Sequence, residues 1–172
     1  MNMKGQYFSF DAIIATVIMV LAFSSLVAYW YGAQSVVESR TYSRLADAGR
    51  IAESLLSPGS PTNWVNGNVE DVRQIGIATS FGNELNMSKV NALEASAAVG
   101  AYYAEFGNLL RAGGDYFILI EQTDDKGGLL KEIGKYPIPA NATFVAVATR
   151  GVTFKDASGN SHPARMRVFL WK

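Results

Sequence analysis

Hydrophobic positions are continuous near the start of the chain and become periodic further along. Tyr7 to Tyr31 reads YFSFDAIIATVIMVLAFSSLVAYWY, in which 20 of 25 residues are hydrophobic. No charge occurs from Ala12 to Val37. A helix of about 20 residues rises about 30 Å, enough to cross the hydrocarbon core of a bilayer. The run closes on Tyr29-Trp30-Tyr31, an aromatic cluster suited to a membrane–water interface. No proline lies between Asp11 and Ser57, and only Gly32 and Gly49 interrupt helix-compatible residues. The pattern predicts one helix over residues 7–56, from about Phe8 to Leu56 and roughly 70 Å long. It is apolar over 8–31 and amphipathic over 33–56. In the second half Leu45, Ala48, Ala52 and Leu55 share one face with Ile51 beside them, and Arg40, Arg44, Asp47, Arg50 and Glu53 supply the polar face. Ser57-Pro58-Gly59-Ser60-Pro61 stops it.

The pattern of residues 57–172 predicts a separate α+β head. Residues 60–83 read as loop, with turn signals at Pro61, Asn63, Trp64, Asn66, Gly67 and Asn68 and one short strand over Val72–Ala78. Asn86-Met87-Ser88 opens a second helix, about Ser88 to Ala112, with a stripe of Val90, Leu93, Ala97, Ala101, Ala104 and Leu109 widened by Tyr102, Tyr103, Phe106 and Leu110. Arg111 falls in its last turn and Gly113-Gly114 ends it. Strands follow at Tyr116–Thr123, Leu129–Lys135, Ala142–Lys155 (Gly151 marking a bulge) and Ala164–Trp171, with Asp124-Asp125-Lys126-Gly127-Gly128 as a hairpin loop. Tyr136-Pro137-Ile138-Pro139 reads as a connection or an edge. The expected head is an antiparallel sheet of about four strands with helices on one face.

Charge sharpens this division. The 172 residues are 49% hydrophobic and 17% charged, below the roughly 25% charge of soluble proteins. Residues 1–37 carry only Lys4 and Asp11. Fifteen basic and fifteen acidic residues cancel, so no polybasic field exists for nucleic acid. With no cysteine there is no disulfide, thiolate nucleophile or cysteine metal site.

Three readings of the N-terminus compete: a cleavable secretory signal, a single-span anchor, and a helix that also assembles with copies of itself. The apolar core is long for a signal, and the small-residue pattern around Leu26-Val27-Ala28 is a poor cleavage site. Asp11, at the inner edge of the run, is costly to bury. Either Ser9 or Asp11 caps the helix start in the headgroup layer, or Asp11 pairs with an amine inside a helical assembly. Lys4 and the amine ahead of the run favour the N-terminus inside and the head outside.

Lys4-Gly5-Gln6-Tyr7-Phe8-Ser9-Phe10-Asp11 before a long apolar helix resembles archaeal type IV pilins and archaellins, over roughly residues 4–56. The resemblance implies a short basic leader (residues 1–6) removed by a prepilin peptidase, with Lys4, Gly5 and Gln6 at the processing site. Cutting after Gly5 makes Gln6 first, Ser9 fourth and Asp11 sixth. Cutting after Gln6 makes Tyr7 first, Ser9 third and Asp11 fifth, with Asp in place of the usual Glu. It further implies a structural subunit without enzymatic activity or cofactor, held in the cell membrane until the pilus assembly machinery stacks it into an extracellular, adhesive filament. Its partners would be copies of itself, with Ser9 and Asp11 as assembly residues. The alternative is a single-span membrane protein whose exposed head binds a partner or ligand.

Elsewhere the chemistry is sparse. His162 is the only histidine and falls beside a turn, which predicts a surface or strand-edge place. Asp124 and Asp125 lack the spacing of a calcium loop. The glycines form no phosphate-binding fingerprint. Asn86-Met87-Ser88 and Asn141-Ala142-Thr143 are candidate N-glycosylation triplets; Asn86 competes as a helix cap and Asn141 as an ordinary turn residue.

Overall fold

The computed structural model describes residues 4–66, 69–98, 100–124, 128–142 and 144–172, and of residues 4–9, 69, 100 and 101 the backbone alone. The chain divides into two units, residues 1–40 and 41–172. A single helix, α1 (Lys4–Leu55), contributes to both.

In the first unit α1 is bare. Its most apolar stretch has no buried residue, and side chains from Phe10 to Val37 stand exposed. Three polar residues in it are satisfied by their own helix. Thr16 Oγ1 donates to Ala12 O at 2.8 Å, Ser25 Oγ to Leu21 O at 2.8 Å, and Ser35 Oγ to Gly32 O at 2.9 Å. Such back-bonding lets a hydroxyl sit in an apolar helix without a missing partner.

In the second unit α1 enters a hydrophobic core through Ala48, Ile51, Ala52 and Leu55, followed by Leu56. This is helical spacing, but Leu45 is 49% exposed and lies outside the stripe expected for it. The last turn tightens, with Leu56 N–H on Glu53 O and Ser57 N–H on Ser54 O, and Gly59 (φ +81°) turns the chain away.

Short 3₁₀ turns follow at Trp64–Asn66 and Val69–Asp71. The strand expected over Val72–Ala78 does not form. Its apolar residues Val72, Ile75, Ile77 and Ala78 are buried, but two of its amides are taken by the end of α1: Ile77 N–H donates to Leu55 O at 2.8 Å and Ala78 N–H to Ser57 O at 3.1 Å. Only isolated bridges, Ser60 with Gln74 and Ala78 with Leu85, remain.

A two-residue strand, β1 (Glu84–Leu85), precedes two helices, α2 (Met87–Ala97) and α3 (Gly100–Leu110), where one was expected. The break falls beside Gly100. Glycine inside a helix costs about 1 kcal/mol against alanine, so an interruption there is cheap. The core stripe changes phase across it: Val90, Leu93 and Ala97 are buried from α2, Phe106 and Leu110 from α3, while Ala104 is exposed and Ala101 has no described side chain.

The sheet is completed by β2 (Asp115–Gln122), β3 (Gly128–Gly134), β4 (Ala146–Lys155) and β5 (Ser161–Trp171), in the order β1-β4-β5-β2-β3. The four longer strands pair antiparallel, as expected; β1 joins β4 in parallel and makes the sheet mixed. Gly151 pairs regularly with Arg165, so it carries no bulge; the register shift lies instead at Ile120/Glu121 against β3. Ile118, Ile120, Ile133, Met166, Val168 and Leu170 face the helices and share one core with α1. The fold is α+β with a long N-terminal helix. Gly67, Asn68, Asp125, Lys126, Gly127 and Thr143 lie outside the described residues.

Candidate functional site

Three regions carry the residues singled out in the sequence. The first is the apolar part of α1. The helix already begins at Lys4, so Ser9 and Asp11 are interior positions and neither is its cap. Asp11 is exposed and meets no cation among the described residues. For Lys4, Gly5, Gln6 and Ser9 the backbone is helical, and their side chains lie outside the description. α1 is the one helix among the described residues long and apolar enough to cross a membrane.

The second region joins the end of α1 to the head. Gly76 lies against the first residues after α1 so closely that a Cβ would sit 2.1 Å from Ser57 O and 2.3 Å from Gly59 N. Trp64 Nε1 donates to Gly76 O at 2.8 Å, and its ring meets Phe106 edge-on at 6.2 Å. Lys89 of α2 is buried, and its ammonium donates to Pro58 O at 2.7 Å and Ala78 O at 3.3 Å. Burial lowers its pKa from the ordinary lysine value. On α1 itself, Arg50 donates to Leu110 O and Arg111 O at the end of α3, and Glu53 pairs with Arg150 of β4 at 2.7 Å. Arg111 takes a left-handed conformation (φ 54°) just past α3 rather than sitting within its last turn. Sequence periodicity showed the amphipathic face here but missed Lys89, which reads as one more surface charge on a helix.

The third region is the head surface. On the sheet face turned away from the core, Phe117 lies between Tyr136 (ring centroids 5.0 Å) and Phe169 (5.8 Å), with Val147 opposite Phe169. Arg167 stands 5.7 Å over the Phe169 ring and donates to Glu121 at 2.7 Å, which Arg165 also reaches at 3.2 Å. Tyr136 is 63% exposed. Tyr103 stacks on Tyr116 at 4.6 Å, and burial pushes the Tyr103 phenol up to about 12.

Asn86 caps α2: its side-chain oxygen accepts from Ser88 N–H at 3.1 Å and Lys89 N–H at 3.3 Å. Asn141 is exposed in a turn, and Thr143 of its triplet lies outside the described residues. His162 is partly buried on β5 between Asp124 and Asp156, a pairing of residues 38 and 6 positions away that no local motif signals. No group of three His, Cys, Asp or Glu residues able to hold a metal occurs among the described residues.

No family model, curated protein or solved structure matches the chain.

Proposed function

We propose that this chain is a structural subunit of an archaeal type IV pilus-like filament, stored in the membrane through residues 8–31 and assembled through the same helix. The observation that carries this reading is the fully exposed apolar run of α1, continuous with a helical segment that is built into a folded head. A helix apolar on all sides needs lipid or other helices around it. The KGQYFSFD order ahead of it is what favours a pilin over a plain anchor. On this reading the leader is cut after Gly5 or Gln6, Asp11 pairs with an amine of a neighbouring copy, and the head forms the outer surface. The function is assembly and adhesion, with no catalytic step.

Mass spectrometry of the native N-terminus, combined with electron microscopy of sheared surface material, tests this directly. Loss of five or six residues and incorporation of the chain into filaments are expected. An intact Met1 together with no filaments containing the chain would refute it. A second reading, a membrane-anchored protein with a binding head, draws on the exposed Tyr136 ring beside Phe117 and Phe169.

A further inference from the structure

His162 faces Phe154 across the β4–β5 pair, and the two rings stack at 5.4 Å. Its two ring nitrogens address different carboxylates. Nδ1 lies 3.2 Å from Asp124 Oδ2, just past the end of β2, and Nε2 lies 3.1 Å from Asp156 Oδ2, in the turn between β4 and β5. A neutral imidazole has one N–H donor and one lone pair, whereas the imidazolium has two donors. Only the imidazolium therefore satisfies both carboxylates; in the neutral form one of them faces a lone pair at about 3 Å. We propose that His162 is a pH-gated clasp: protonated, it ties the β4–β5 turn to the end of β2, and neutral, it can donate to only one of the two acids, so the tie opens.

Asp156 Oδ1 accepts from Ser158 N–H at 2.9 Å and Asn160 N–H at 2.8 Å, and its Oδ2 accepts from Asn160 Nδ2 at 3.3 Å. It is fixed by its own turn, six residues from His162. Asp124 belongs to a different connection, where the Gln122 side-chain amide donates to its Oδ2. Among the described residues, Lys155 of β4 pairs with Glu84 of β1 at 3.1 Å, and Arg165 of β5 with Glu121 of β2. Because the two acids grip opposite nitrogens, they do not converge on a point where a cation would sit.

The sign is fixed by the same contacts. Asp156 first, then Asp124, raise the His162 pKa above its ordinary 6.5. Asp156 is held down at about 2, first by the Asn160 N–H and then by His162. The His162 contribution is fully present below about pH 6.5 and is lost as pH rises through the raised folded value. The Asp156 contribution is present above about pH 4 and lost as pH falls through about 2. The clasp is therefore closed in mildly acidic solution and opens on the alkaline side, whether or not the chain builds filaments.

NMR titration of the full chain in detergent micelles tests the clasp, since its single histidine gives one imidazole spin system. The His162 midpoint should lie above 6.5, fall most in D156N and fall less in D124N. Amide-exchange protection of Gln122 and Thr123, corrected for intrinsic pH dependence, should drop as pH rises through that midpoint, while Ile118 and Val168 stay protected. A wild-type midpoint at or below 6.5, or one unmoved in D124N, would overturn the proposal. So would flat protection at Gln122 and Thr123 across the midpoint. If D156N loosens the turn on its own, D124N still decides, because Asp156 keeps its Ser158 and Asn160 contacts in that variant.

Discussion

Gly76→Ala is the most informative single perturbation of the head. The added methyl would stand 2.1 Å from Ser57 O, 2.3 Å from Gly59 N and 2.6 Å from Ser57 Oγ. Two of these three atoms are backbone, at the point where α1 stops, so no rotamer change relieves the contact. The strand-like segment and the end of α1 must part by about 1 Å to reach ordinary van der Waals distance. Overpacking of this kind costs about 1–3 kcal/mol. The shift also strains the Trp64 Nε1 bond to Gly76 O, a buried bond worth about 1 kcal/mol. A total near 3 kcal/mol is expected. For a head of about 130 residues the unfolding entropy is about 0.28 kcal/mol per kelvin, so Tm should fall by about 10 °C. The assay is thermal unfolding of the full chain in detergent, followed by near-UV circular dichroism. Gly151→Ala is the control, because nothing lies within 4 Å of a Cβ there. It should leave Tm unchanged or slightly raised. If Gly76→Ala melted within 2 °C of wild type while Gly151→Ala behaved as expected, the claim that this loop clamps the end of α1 would be wrong.

Asp11→Ala should abolish incorporation into filaments yet leave membrane insertion intact; mutant chains found in filaments at wild-type occupancy would remove Asp11 from assembly. Asn86→Ala should cost about 1 kcal/mol by removing the α2 cap, and Asn86→Asp should recover most of it, both read from denaturant midpoints. Lys89→Ala should cost about 2–3 kcal/mol, because it deletes a buried charged donor serving two carbonyls, and equal midpoints for mutant and wild type would contradict that. Gly49→Ala, whose Cβ would meet only Arg150 Nη2 at 3.9 Å, should stabilise the head by up to about 1 kcal/mol, seen as a rise in Tm.

The parts of the fold that were legible in the sequence are those fixed by local rules. The charge-free run, the absence of proline and the SPGSP stop predicted α1 to within a few residues, and the four longer strands stood where β-branched and aromatic residues cluster between turns. The errors have one physical origin: tertiary partners absent from the local pattern. Val72–Ala78 looks like a strand because it is apolar and partly alternating, yet the carbonyls of Leu55 and Ser57 take its amides before any strand can. The helix over 88–112 splits next to Gly100, a weak helix former, and the buried positions fall out of phase between the two pieces. β1 was invisible because two residues have no periodicity. In the candidate sites, Asn86 was readable as a cap because it stands directly before the helical run, whereas His162 was placed at the surface or a strand edge without either of its acids, since Asp124 arrives from another hairpin.

The apolar helix raises a sharper energetic question than its hydrophobicity alone suggests. Moving it from lipid to a bundle of identical helices gains little from apolar burial, because lipid tails are as apolar as its side chains. Its hydroxyls add little as well: Thr16, Ser25 and Ser35 already bond to carbonyls one turn back, so they enter either environment satisfied. What remains to favour association is close packing at the small residues and whatever Asp11 gains. Asp11 is the one charge in the run whose cost differs strongly between the two environments, since a carboxylate near the headgroups stays hydrated while one inside a bundle must find a cation. The two readings of this protein therefore diverge at a single side chain. In a plain anchor Asp11 is a tolerated surface charge, and replacing it with asparagine changes nothing measurable. In a filament Asp11 must be paired with an amine to offset its desolvation, and the same substitution, by removing one partner of that pair, halts assembly while the head, from Thr41 onward, folds as before.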